Sequence, residues 1–289
     1  MSIDLFRLMR PHQWVKNTFV LTGLLFGHAW HDPTLVTKAI IAFIAFCLTS
    51  STIYIINDIV DIEQDKQHPS KRNRPLASGK IKITSAAILA VFIGLAALTL
   101  AYFASTIVVA ILLIYAVMNV AYSLKLKHVV ILDVFIIATG FMLRILAGTL
   151  GLGIPPSQWL LLCGFMVTLF LGFSKRRAEI IALSDDKSAH RKVLEQYSAV
   201  LLDNIIVITA AGVIMSYGLY TMNPETIRIH GTANLIYTLP FVIYGVFRYI
   251  FLLHHQSSGG DPSRDLVRDP HMLIVLACWL TATIALIVR

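Results

Sequence analysis

Long apolar runs separated by short polar segments dominate the chain. Runs of helix-spanning length, roughly 17 to 25 residues each, lie near 17–31, 36–57, 83–103, 105–122, 129–152, 157–174, 201–221, 232–253 and 270–288. The pattern predicts nine transmembrane helices. The first run is the least regular, because Gly23, Gly27, His28 and His31 interrupt it. The third and fourth meet with almost no linker, so eight helices is a second reading.

Composition agrees with the pattern. Hydrophobic residues make up 57% of the chain and charged residues 14%, against about 25% charged in soluble domains; the mean hydropathy is +0.74. The expectation is an all-α integral membrane protein forming one polytopic domain over residues 1–289. Lys and Arg concentrate in short cytoplasmic loops of such proteins. With the N-terminus cytoplasmic, all of the 24 Lys and Arg residues except Lys38, Arg144, Arg228 and Arg289 fall on the cytoplasmic side. That places an amphipathic start at 1–16 and loops at 58–82, 123–128, 175–200 and 254–269 in the cytoplasm of a cell whose plasma membrane holds the protein. The net charge of +8 is then a topology signal, reinforced by attraction to anionic lipid and phosphorylated substrates, and does not indicate nucleic-acid binding. The first sixteen residues lack the features of a cleavable signal peptide. Cys47, Cys163 and Cys278 sit singly in apolar runs as packing residues, and no Walker loop, GxSxG or HExxH is present.

The chemistry gathers at one membrane face. Behind the second apolar run the chain reads NDIVDIEQDKQHPSKRNRPLASGKIK from Asn57 to Lys82. Asp58, Asp61 and Asp65 are spaced three and then four residues apart, so a helix stacks them on one face. Unpaired, they would repel. Mg²⁺ relieves such repulsion while using one or two carboxylates and filling its remaining positions with water and substrate phosphate oxygens. The cations that follow, Arg72 and Arg74 among them, suit the remaining phosphate charge.

The pattern NDxxDxxxD from Asn57 to Asp65, continued by RPxxxG at Arg74, Pro75 and Gly79, resembles the UbiA superfamily of membrane prenyltransferases. The resemblance implies a UbiA-like helical barrel of about nine spans with a polar chamber open to the cytoplasm and laterally to lipid. Members normally carry a second aspartate-rich motif after the sixth span, for a second Mg²⁺. Here that place reads GFSKRRAEI, with Lys175, Arg176 and Arg177 where carboxylates are expected and Glu179 as the one acid. Direct phosphate binding by a guanidinium fork or an ammonium suits such a run. Together with RPHQWVKN (10–17), YSLKLKHVVILD (122–133), GFMLRILAG (140–148) and the tail beyond Phe247, it is similar to the decaprenyl-phosphate phosphoribosyltransferase branch.

That branch implies transfer of 5-phosphoribosyl from 5-phosphoribosyl 1-diphosphate to a polyprenyl phosphate. Asp58 and Asp61, with Asp65 directly or through water, would hold Mg²⁺ on the donor diphosphate, and Asn57 would orient the metal's surroundings. Arg72 and Arg74 would meet diphosphate oxygens. Lys16, Lys175, Arg176, Arg177, Lys125 and Lys127 would divide between the 5-phosphate and the lipid phosphate, with Asn17, Tyr122 and Glu179 lining the site. Arg144, midway along the fifth span, needs a partner or a function there, either a structural pairing or binding of the lipid phosphate. Asp133 shares its helix face but sits about 16 Å away by helical rise, too far to pair. His254 and His255 read as membrane-interface residues. The partners implied are the two substrates, the bilayer and no nucleic acid, with a homo-oligomer left open. The alternative is transfer of a prenyl chain from its diphosphate to an aromatic acceptor such as 4-hydroxybenzoate.

Overall fold

The structure, a computed structural model, describes residues 2–67, 71–183, 194, 196–255 and 269–287. Lys187, Arg191, Lys192, Arg264 and Arg268, with residues 184–193 and 195 of the expected loop 175–200 and residues 256–268 of the expected loop 254–269, lie outside the described residues. Among those described there is no strand. The helices are α1 (Ser2–Leu8), α2 (Thr22–Phe26), α3 (Pro33–Val60), α4 (Ile62–Gln67), α5 (Ile83–Ala104), α6 (Thr106–Leu124), α7 (Leu132–Gly148), α8 (Gln158–Leu183), α9 (Ala199–Met222), α10 (Pro224–His230), α11 (Leu239–His255) and α12 (Pro270–Ile287).

Eight of the described helices are long and apolar enough to cross a membrane: α3, α5, α6, α7 with its following turn, α8, α9, α11 with its preceding turn, and α12. The first apolar run is not among these eight. Residues Pro11–Leu21 form a 3₁₀ helix and only Thr22–Phe26 are α-helical. This irregular segment follows α3: Trp14 Nε1 donates to Ser51 Oγ (3.0 Å) and Asn17 Nδ2 to Ser50 Oγ (3.1 Å). Eleven residues is long for a 3₁₀ helix, whose hydrogen bonds are poorer than those of an α-helix. Side-chain bonds to α3 supply what its backbone geometry lacks.

Capping residues explain the other boundaries. Asp32 starts α3, its Oδ1 accepting from the Thr34 and Leu35 amides at 2.8 and 3.2 Å, with Pro33 at the first helical position. One extended residue, Ser105, separates α5 from α6. Its hydroxyl accepts from the Val108 amide and donates to the Gly151 carbonyl, which is how two abutting apolar runs become two helices. The cytoplasmic-loop assignment for 175–200 begins inside a helix, because α8 continues to Leu183.

The chain packs as two compact units, residues 1–127 with 139–156, and residues 128–138 with 157–289. The first is built on Val20, Phe46, Val108, Leu112, Tyr115 and Leu143, the second on Val134, Phe170, Phe173, Leu202, Ile206 and Val213. Outward positions stay apolar, as with Ile88 and Phe92, both over two-thirds exposed, the all-round hydrophobicity of helices meant for lipid.

Small residues let backbones touch in the first unit, a common device between membrane helices. A Cβ built on Gly148 would lie 1.6 Å from the Val20 carbonyl oxygen, and one on Gly23 would lie 1.9 Å from the Gly148 carbonyl oxygen. By contrast, a Cβ on Gly94 would meet only Thr52 at 3.5 Å, beside an apolar cavity of about 450 Å³ among α3, α5 and α6. Gly148→Ala should therefore cost about 3 kcal/mol by overpacking against backbone, whereas Gly94→Ala should be neutral or stabilising, given the higher helix propensity of Ala. Thermal unfolding of the two purified variants in detergent checks this; equal melting temperatures would mean the Gly148 crossing is loose.

Candidate active site

The carboxylates lie where α3 ends. Asp61 closes the helix with φ −92° and ψ 10°, and the chain resumes as α4. The break is slight, because the Asp61 amide still bonds the Asn57 carbonyl (2.9 Å) and the Asp65 amide the Asp61 carbonyl (2.8 Å). Asp58 and Asp65 therefore converge. Nη1 of Arg74 donates to Asp58 Oδ1 at 3.2 Å and to Asp65 Oδ2 at 2.5 Å, so one cationic atom touches both. Lys71 Nζ stands 4.0 Å from Asp65.

The trio divides in two. Asp61 turns to Lys127, whose Nζ donates to it at 3.2 Å. Among the described residues, no group of three or more His, Cys, Asp or Glu is arranged to hold a metal. What remains is a converging pair, Asp58 and Asp65, both 3% exposed. The fit to a hard divalent cation is good: the donors are all oxygen, the two carboxylates already share one cation, and Mg²⁺ needs only one or two such ligands from protein. Asn57 accepts from Ser123 at 2.6 Å, which ties the start of the motif to α6.

Arg10 is the residue that sequence reasoning missed as part of the site. Its guanidinium is ion-paired with Asp58 and lies 5.0 Å from the Tyr54 ring centroid. The backbone of Arg10 is left-handed, with φ 50° and ψ 57°, a conformation costly for a residue with a Cβ. Ser51 holds it in place, its hydroxyl donating to the Met9 carbonyl at 2.8 Å. The signal for it in the sequence is the basic segment RPHQWVKN, whose approach to Asp58 only the fold reveals.

Arg144 and Asn17 have other partners. Arg144 is 5% exposed; it donates to Asn17 Oδ1 (2.7 Å), the Gly140 carbonyl (2.8 Å) and Tyr115 hydroxyl (2.8 Å). Its guanidinium carbon also lies 4.8 Å from the Tyr115 ring centre and 5.3 Å from that of Phe141. Aromatic faces and neutral oxygens take the place of a counter-ion. As expected, Asp133 is not among its partners. Asn17 is buried between Arg144 and Ser50. The pair locks the 3₁₀ segment against α3 and α7 in the first unit.

In the second unit the basic run is heavily paired. Arg176 donates from Nε to Asp133 Oδ2 (2.7 Å) and from Nη1 to Glu179 (2.6 Å), and Asp133 also accepts from the Tyr197 hydroxyl at 2.8 Å. Burial above all, with a contribution from Asp133, pushes the Tyr197 phenol up from its ordinary value. Arg177 is ion-paired with Asp203 and donates to the Leu253 carbonyl at 3.0 Å; His254 approaches the same Asp203 at 3.3 Å. Both arginines are buried, and Lys175 is exposed. Lys16, Arg72 and Lys125 are exposed as well, and Tyr122 is half-buried.

Residues 18–267 match the UbiA prenyltransferase family. The chain belongs to that family. A protein of Mycolicibacterium smegmatis named decaprenyl-phosphate phosphoribosyltransferase is 30% identical over 287 residues, covering 96% of this chain and 90% of its own. A protein of the same name from Corynebacterium glutamicum is 33% identical over 283 residues, covering 95% and 83%. Among solved structures, a UbiA homologue from Archaeoglobus fulgidus bound to GPP and Mg²⁺ has a TM-score of 0.72 at 18% identity, covering 99% of this chain and all of that one. The UbiA fold is thus shown for an all-helical, multi-pass membrane transferase.

The ion pairs in the second unit set a stability test. Removing one partner of a buried pair costs about 3–5 kcal/mol, whereas replacing both with apolar groups is often nearly neutral. Asp133→Leu should lower the melting temperature sharply, and Asp133→Leu with Arg176→Met should recover most of the loss. An Asp133→Leu protein that melts like wild type would show that Glu179 alone suffices for Arg176.

Proposed function

We propose that this UbiA-family protein transfers 5-phosphoribosyl from 5-phosphoribosyl 1-diphosphate to a polyprenyl phosphate at the cytoplasmic face of the cell membrane. The observation that carries the reading is the likeness, along 96% of the chain, to a protein named decaprenyl-phosphate phosphoribosyltransferase. The site supports it. A diphosphate donor needs concentrated positive charge, and Arg10, Lys71, Arg74 and Lys127 surround three aspartates.

Asp58 and Asp65 are the residues that would hold Mg²⁺, with Asp61 orienting Lys127. When bound, Mg²⁺ supplies charge neutralisation on the donor diphosphate. Arg10 and Arg74 stabilise the negative charge that grows on the departing diphosphate oxygens. An oxygen of the acceptor phosphate forms the new bond to the ribose anomeric carbon as the bond to diphosphate breaks. The acceptor is largely a dianion at neutral pH, its second pKa being about 6, so no side chain has to take a proton. Lys16, Arg72, Lys125 and Lys175, all exposed, are candidates for the 5-phosphate and the lipid phosphate. The reaction inverts the anomeric configuration through an oxocarbenium-like transition state.

The pairing of Arg176 and Arg177 refines the contrast with two-motif relatives. These arginines hold Asp133, Glu179 and Asp203, so the basic run serves mainly to brace its own unit, and Lys175 is its strongest candidate for substrate. Prenyl transfer to an aromatic acceptor remains the competing reading, favoured by the GPP-bound relative of the same fold.

Purified protein given Mg²⁺, polyprenyl phosphate and labelled 5-phosphoribosyl 1-diphosphate should move label into the lipid phase. No transfer, together with prenylation of an aromatic acid from a prenyl diphosphate, reverses the choice. Asp58→Asn and Asp65→Asn should each lower kcat/KM by about 10²-fold or more; full activity in either removes that residue from the site. Product of retained anomeric configuration would sink the single-displacement mechanism.

A further inference from the structure

We propose that Arg10 is a placeholder cation. It neutralises Asp58 in the unliganded protein and transfers to the diphosphate when a divalent cation takes the carboxylates, so that metal and diphosphate bind with positive coupling. This rests on the proposed assignment of Asp58 and Asp65 as the metal-holding pair.

The argument starts from what a buried carboxylate requires. Asp58 is 3% exposed, and an uncompensated charge there is prohibitive. Arg10 and Arg74 supply the compensation, both on Oδ1. A metal on that carboxylate competes directly with two guanidiniums. Metal alone would leave them crowded by a third cation without new anions. Diphosphate alone would meet guanidiniums already engaged by Asp58 and Asp65. Only the two together let every charge keep a partner: carboxylate oxygens on the metal, guanidiniums on phosphate, for which the bidentate fork of Arg is well shaped.

Arg10 differs from Arg74 in its partners: Arg74 Nη1 bridges Asp58 and Asp65, whereas Arg10 is ion-paired with Asp58. Its side chain is 22% exposed although its partner is buried, so it approaches Asp58 from an open side. Its backbone sits in the left-handed region directly before Pro11, where the residue before a proline ordinarily prefers extended geometry. Such strain persists only where surrounding contacts over-determine it. Here Ser51 fixes the Met9 carbonyl on one side and accepts from Trp14 on the other, while Asn17 is held by Ser50 and Arg144. The backbone around Arg10 is tied to α3, and its guanidinium lies over the Tyr54 ring. That aromatic face supports the planar guanidinium without binding it to one anion.

Isothermal titration of the full chain in detergent tests this with two probes, Mg²⁺ alone and inorganic pyrophosphate with Mg²⁺, neither of which depends on the identity of the sugar donor. In Arg10→Met, affinity for Mg²⁺ alone should rise several-fold because a competitor is gone. Affinity for pyrophosphate with Mg²⁺ should fall about tenfold or more, the worth of a charge-assisted hydrogen bond. Arg10→Lys, which keeps the charge but not the fork, should lie between on both, and serves if the methionine variant does not fold. Arg7→Met, one turn away on α1 and paired only loosely with Asp4, should change neither. Opposite signs for the two probes support the exchange. Loss of both affinities in the Arg10 variants, or no change in pyrophosphate affinity, overturns it. Failure of phosphoribosyl transfer with these binding signs intact would fault the donor assignment and leave the exchange standing.

Discussion

A buried carboxylate must be neutralised wherever water cannot reach it, and the first unit is organised around that demand at Asp58 and Asp65. Arg74 joins the two acids and Arg10 covers the first. The apparatus behind Arg10 follows from the same need. Cys47, Ser50 and Ser51 give α3 a polar face that holds an eleven-residue 3₁₀ helix, and that segment carries Arg10 to its place two turns further along α3. A regular apolar helix would have no reason to stop turning there.

Arginine solves three different problems in this protein. Arg10 and Arg74 pair with carboxylates while remaining partly open, at 22% and 29% side-chain exposure, the condition for exchanging one anion for another. Arg176 and Arg177 pair with acids from outside their own helix in nearly complete burial, and such pairs fix helix register more than they bind ligands. Arg144 has no acid among its hydrogen-bond partners and rests on a carbonyl, an amide oxygen, a phenol and aromatic faces. The difference lies in what each neighbourhood supplies.

Much of the architecture was legible along the chain because membrane solvation acts locally. Each spanning helix must satisfy its own backbone and present apolar side chains at the length the bilayer requires, so eight helices declared themselves as runs of residues. The first run is irregular, a 3₁₀ helix over Pro11–Leu21 and a short α-helix in which Gly23 meets Gly148 backbone to backbone, a contact between residues more than a hundred positions apart. The aspartate spacing was equally legible, and the convergence of Asp58 with Asp65 follows from it. The turn of Asp61 toward Lys127 does not, since that depends on where α6 ends.

The sequence by itself determined the membrane class, the spans and the acid-rich end of α3, all of which arise from periodicity and composition over a few turns. Only the tertiary structure decided which cation meets which acid. Ion pairing depends on distances between side chains from separate helices, and a sequence records the charges without recording those distances. Arg10 next to Asp58, Arg176 next to Asp133 and Arg177 next to Asp203 are all pairings that the packing of helices alone could bring together.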